Sequence, residues 1–124
     1  MDLKWWVDYL NQPVRVWVKG RKLKNGIGVH HFIACEGIGD CWRVAEWGTL
    51  PNSEPEYYAT KRVEGFDCHN LGNYCLRDVF NATKKVSLAK PYGINNNCNE
   101  WTEQVAYDLN HNIVISWDCL CINQ

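Results

Sequence analysis

The stretch that most constrains this chain is residues 95–101, NNNCNEW, with the dozen residues that follow it. Asparagine propagates a helix poorly because its side chain competes for backbone hydrogen bonds, yet it is among the best residues for starting one. With Asn97 as the N-cap, Glu100 falls at the third helical position, where its carboxylate can reach back to the cap amide. Cys98, Trp101, Val105 and Leu109 then recur on one face of a helix that Asn110, His111 and Asn112 bring to an end. Cys98 is thereby placed in the first turn. There the unpaired amides and the helix dipole favour an anion and push a thiol toward thiolate. The position suits a cysteine nucleophile, and it equally suits a small apolar residue opening a core helix.

Around this helix the chain reads as a small α+β domain. Residues 3–10 (LKWWVDYL) fit a short helix or an edge strand, ended at Pro13. Residues 14–18 (VRVWV) alternate as a strand with Val14, Val16 and Val18 on one face. After a turn over 20–25, residues 26–34 (GIGVHHFIA) are apolar almost throughout, as in a central strand covered on both faces. A hairpin turn at 37–40 returns residues 41–47 (CWRVAEW) as the next strand, and a loop over 48–56 carries Pro51 and Pro55. A further strand is expected within 57–66 and a helix over 73–85. A turn at 90–93 leads into the cysteine helix, and a last strand or docked tail covers 113–117. The expectation is one domain, residues 1–124, with a small antiparallel sheet and helices packed against it.

Composition narrows the function classes. A formal net charge of −1 gives no electrostatic case for nucleic acid. The one basic run, residues 19–24 (KGRKLK), reads as a solvated loop. A peripheral contact with RNA or anionic lipid through Lys19, Arg21, Lys22 and Lys24 is the lesser alternative. Seven cysteines, an odd number, without a secretory leader before them predict reduced thiols and a cytoplasmic protein. No apolar stretch reaches the roughly 18–20 residues of a membrane span.

Thiol catalysis needs a base within hydrogen-bond reach of the sulfur, and a third group to orient that base. His30 and His31 lie in the middle of the apolar strand, where polar groups are costly unless used or satisfied. Alternation sends them to opposite faces, so at most one can face Cys98. His69 and His111 fall in expected loop or helix-end positions. Cys68, His69 and Cys75, or Cys119 and Cys121, offer metal-ligand types, but in spacings unlike the paired cysteines of structural zinc sites. Neither a phosphate-binding glycine loop nor a serine nucleophile elbow is present, and no metal or cofactor is expected.

A histidine in HHFIACEG on an early strand, followed by an Asn-Cys at the head of a late helix, resembles the H-box/NC proteins. These form the lecithin–retinol acyltransferase-like branch of the permuted papain-type superfamily, which includes cellular phospholipase/acyltransferases and the 2A proteins of several picornaviruses. His31, Phe32, Ile33 and Ala34 match the H-box, and Asn97, Cys98, Asn99, Glu100 and Trp101 match the NC box. The resemblance implies a permuted papain-like (NlpC-type) architecture with Cys98 as nucleophile and His31 as base. Glu46, on the strand after the H-box, would stand as third member where the cellular enzymes usually carry a histidine. Asn97, His30 and Trp101 would support the motifs.

Three departures point within the family: that missing histidine, a shorter interval between the boxes, and the lack of the cellular enzymes' C-terminal membrane anchor. With Gln124, the residue a viral chymotrypsin-like protease leaves, they make the chain look most like a picornavirus 2A protein, a polyprotein product of the host cytoplasm. The resemblance then implies a non-enzymatic factor acting in replication through host or viral proteins. The alternative is a Cys-His acyl hydrolase or acyltransferase acting on lipid or peptide acyl groups.

Overall fold

The computed structural model describes residues 3–24, 28–48, 54–89 and 97–110. The elements are α1 (Lys4–Val7), β1 (Pro13–Lys22), β2 (Val29–Ile38), β3 (Cys41–Glu46), β4 (Glu56–Thr60), β5 (Phe66–Cys75), α2 (Leu76–Ala89) and α3 (Cys98–Leu109). The strands form one antiparallel sheet in the order β4-β3-β2-β1-β5, and the class is α+β. Expectations for residues 90–93 and 113–117, and for His111, Cys119 and Cys121, lie outside the described residues.

The main core lies between one face of the sheet and the helices. Val14, Val16 and Val18 of β1 and Ile33 and Cys35 of β2 meet Leu76, Val79 and Ala82 of α2 and Trp101, Val105 and Ala106 of α3. On the opposite face Phe32, Ala34 and Val44 form a second cluster beneath Trp42, Tyr58 and Val63. Residues 32–35 of β2 are therefore buried on both sides, which explains an unbroken apolar run in an antiparallel strand. Residues 3–10 resolve into the short helix α1, whose fully buried Trp6 packs edge-on against Tyr57 and donates its Nε1–H to Tyr58 O at 3.2 Å.

Three expectations are corrected. β1 does not turn at residue 20 but runs on to Lys22, so the basic stretch is largely strand rather than solvated loop. Gly20 sits there for space, since a Cβ would come within 2.9 Å of the Phe66 ring and of Val29 Cγ1. Lys19 is consequently buried, ion-paired to Asp67 at 2.6 Å and over the Trp42 ring at 4.7 Å, while Lys22 and Lys24 stay exposed. Residues 66–75 form strand β5, so 73–75 pair with β1 and the helix starts later, at Leu76. The β2–β3 hairpin turns at Gly39 and Asp40, with Ile38 still in the strand.

Candidate active site

α3 begins as its sequence dictates. Asn97 takes an extended backbone (φ −113°, ψ −174°), and its Oδ1 accepts from the amides of Asn99 at 3.0 Å and Glu100 at 3.3 Å. Such a cap contributes about 1 kcal/mol to the helix. Cys98 is the first helical residue and is buried. One turn on, the fully buried Trp101 fixes the helix in place: its Nε1 donates to Thr83 O of α2 at 3.4 Å, and its ring stacks on Trp47 with centroids 6.1 Å apart. Asn97 and Trp101 thus set where the Cys98 sulfur lies, the first through backbone direction and the second through packing.

The sheet presents both histidines to this helix start. His30 and His31 leave β2 on opposite sides, and each meets a different residue of α3. His30 Nε2 lies 2.8 Å from Glu46 Oε1, and Cys98 is among the groups that favour the His30 cation. His31, 1% exposed, places Nδ1 in a hydrogen bond to Asn99 Oδ1. Asn99 Oδ1 in turn receives the Cys98 Sγ–H at 3.6 Å. The H-box alignment selects His31 as partner of the thiol; in the structure His31 reaches Asn99, the acceptor of the Cys98 Sγ–H, while Cys98 and Glu46 together favour the His30 cation.

Glu46 is the hub of the His30 side. Arg21 grips it with both ends of its guanidinium, Nη1 to Oε1 and Nη2 to Oε2, each at 3.1 Å, and the Tyr58 hydroxyl donates to Oε2. Burial alone would raise the carboxyl's pKa, but hydrogen bonds from His30, Arg21 and Tyr58 outweigh it and hold the group down to about 2. Burial likewise disfavours the His30 cation, yet its bonds to Cys98 and Glu46 push it up to about 9. His31 moves the other way. Burial lowers its pKa against the bond to Asn99, and the neighbouring His30 charge lowers it further. At neutral pH one histidine is therefore a cation held by a carboxylate, and its neighbour is a neutral imidazole.

Arg21, Tyr58 and Asn99 are site residues that sequence reasoning missed. Arg21 had a signal: carrying the β1 alternation beyond Val18 puts Arg15, Trp17, Lys19 and Arg21 on the other face, and in register Arg21 lies directly opposite His30. Tyr58 pairs with Val44, two residues before Glu46 on the same face. The remaining sequence candidates fall elsewhere. Cys68 is the extra residue of a bulge in β5 and packs in the main core, His69 pairs with Val18, and Cys75 Sγ donates to Leu10 O. Among the described residues no three His, Cys, Asp or Glu side chains converge as metal donors, and no helix is long and apolar enough to cross a membrane.

Comparison with family profiles, with curated proteins and with solved structures gives no match to this chain.

Proposed function

We propose that the protein is a cysteine-dependent acyl hydrolase or acyltransferase of permuted papain-like, H-box/NC type. Cys98 is the nucleophile, His30 the acid–base group and Glu46 the residue that orients it. The reading rests on one observation: Cys98, at the head of a capped helix, favours the charged form of a histidine whose Nε2 lies 2.8 Å from a buried carboxylate. Thiol catalysis needs those three parts in that order.

The chemistry follows from the protonation states. An imidazolium beside the first turn of a helix favours the Cys98 thiolate. The thiolate attacks an ester or amide carbonyl, a carbon–sulfur bond forms, and the carbonyl π pair moves to oxygen. With Nε2 committed to Glu46, Nδ1 of His30 is the nitrogen that protonates the leaving group as the carbon–heteroatom bond breaks. Water, or an acceptor hydroxyl or amine, then gives its proton to His30 as it attacks the thioester and expels the thiolate. Glu46 keeps the ring in register and stabilises its cation, which Arg21 and Tyr58 make possible by holding both carboxylate oxygens.

A second reading is the non-enzymatic picornaviral 2A-type factor, acting in the host cytoplasm through host or viral replication proteins. It draws on the saturation of Glu46 by Arg21, Tyr58 and His30, since such a network also holds strand ends together without chemistry. Its other motive, the lack of a second histidine on β3, is weakened because Glu46 occupies that strand and reaches His30.

Acylation by p-nitrophenyl acetate, followed as a p-nitrophenolate burst and as acetyl mass on each cysteine, separates the two. The thiol reading expects Cys98 to acylate well ahead of the other six, and to lose about a hundredfold in His30→Gln. Acylation no faster than at the other cysteines, and indifferent to His30, leaves the binding-factor reading.

A further inference from the structure

The sheet face away from the helices carries a second group of polar side chains, at the opposite end of β1 from Arg21. Between the pairs Cys35–Arg43 and Ile38–Cys41, two residues of β2, Glu36 and Gly37, stand against one of β3, Trp42. This is a β-bulge, which bends its strand and redirects the side chains there. Gly37 permits it: its φ is 122°, and a Cβ at that position would come within 3.3 Å of Pro13 O on β1. Beside the bulge lies a cavity of about 630 Å³, lined by Arg15, Glu36, Asp40, Trp42 and Asn73 together with the start of β1 and the hairpin turn. That volume is in the range that holds a small organic molecule.

Three of these residues form a row across the sheet. Arg15 is directly opposite Glu36 on β2 and directly opposite Asn73 on β5, so the three share one face. Oppositely charged residues so placed ordinarily pair with one another. Here Glu36 Oε1 accepts the Trp17 indole N–H at 2.8 Å instead. Among the described residues, neither the Arg15 guanidinium nor the Asn73 carboxamide has a hydrogen-bond or ion-pair partner. Asp40, the other carboxylate of the lining, has Lys61 Nζ 3.8 Å from its Oδ2. The cavity thus presents a cation and an anion side by side and not joined to each other.

We propose that this cavity binds an α-amino acid with a large apolar side chain. Arg15 and Asn73 receive its carboxylate, Glu36 receives its ammonium, and Trp42 is the wall for its side chain. The two charges of an α-amino acid are one carbon apart, which suits cation and anion sites on directly opposed residues, about 5 Å apart at Cα. A guanidinium and a carboxamide supply the N–H donors that a carboxylate needs, and a carboxylate accepts from an ammonium. A polyanion is disfavoured, because Glu36 and Asp40 line the same cavity. The site is separate from the thiol chemistry. Arg15 and Arg21 are six residues apart on β1, about 20 Å at strand spacing.

The test is NMR titration of the full chain with L-phenylalanine as the probe. Two analogues run alongside: L-phenylalaninamide, which lacks the carboxylate, and N-acetyl-L-phenylalanine, which lacks the ammonium. L-phenylalanine is expected to bind with a Kd of about 1 mM or below, with shifts centred on Arg15, Glu36 and Asn73, and each analogue about tenfold more weakly. Arg15→Gln should weaken L-phenylalanine about tenfold while the amide stays within about threefold of its wild-type affinity. Glu36→Gln, which keeps an oxygen for the Trp17 N–H, should do the same for L-phenylalanine and its N-acetyl derivative. Equal binding of all three ligands, binding indifferent to Arg15 and Glu36, or shifts centred elsewhere overturns the proposal. So does the lack of any saturable shift with L-phenylalanine up to about 20 mM.

Discussion

Replacing Glu46 by Gln keeps the shape of the hub and removes its charge. In the native site His30 sits at about 9 against an ordinary 6.5, a difference worth roughly 3 kcal/mol between its two protonation states. Cys98 and Glu46 share the favourable side of that balance, and burial opposes it. With the carboxylate gone, the Cys98 bond alone has to offset burial, so the His30 midpoint should fall by at least one unit. The Cys98 thiolate loses part of its counterion in the same step. Alkylation at pH 6 should then drop about tenfold for each unit by which the thiol's midpoint rises.

Stability should fall as well. Removing one partner of a buried ion pair costs about 3–5 kcal/mol, but the Arg21 side chain is 37% exposed and regains water, so about 2–3 kcal/mol is expected. The assays are the His30 ring-proton NMR titration, the pH profile of iodoacetamide labelling, and urea unfolding. A His30 midpoint that stays at about 9 in Glu46→Gln would show that Glu46 does not hold the cation, and the relay argument would fail.

Three further outcomes follow from the same contacts. Asn97→Ala removes the acceptor of two helix-start amides, and should lower stability by about 1 kcal/mol in urea unfolding while slowing Cys98 alkylation near neutral pH. Trp101→Ala empties a fully buried site between Trp47 and α2, and should cost about 3–5 kcal/mol by the same measurement. The Glu46–His30 pair should also shape stability against pH. Glu46, lowered to about 2 from 4.5, contributes fully above about 4.5 and loses that contribution as pH falls through 2. His30, raised to about 9 from 6.5, contributes fully below about 6.5 and loses it as pH rises through 9. The pair's contribution is therefore greatest between about 4.5 and 6.5, and thermal unfolding across pH in wild type and Glu46→Gln should diverge most in that window.

The parts of this molecule that were legible in its sequence are those set by local rules. Asn97 announces the start of α3 because an asparagine cap and a 3.6-residue apolar stripe are both short-range signals. The β1 valines announce their buried face because alternation is strict there, and the apolar run of β2 announces cover on both sides. β5 was not legible. Its pairing with β1 shifts register between Val16 and Trp17 and again between Val18 and Lys19, and Gly72 adopts a φ of 103°, so no period-2 pattern survives in FDCHNLGNYC. Reading residues 19–24 as a loop had the same origin, since Gly20 in a strand looks like a turn until Phe66 is seen against it. The assignment between His30 and His31 was out of reach for a different reason. Alternation says that the two diverge, but which one meets Cys98 depends on where the α3 start sits over the sheet, a tertiary fact that no motif carries.

The central claim is that Cys98 and His30 form a working pair at neutral pH. Its most direct test is the pH dependence of Cys98 alkylation in wild type, in His30→Gln and in His31→Asn. The account predicts a fast-reacting thiolate below pH 7 in wild type and in His31→Asn, and a profile shifted toward that of an ordinary thiol, near about 8.5, in His30→Gln. An inert Cys98, or one that slows only when His31 is changed, would contradict it.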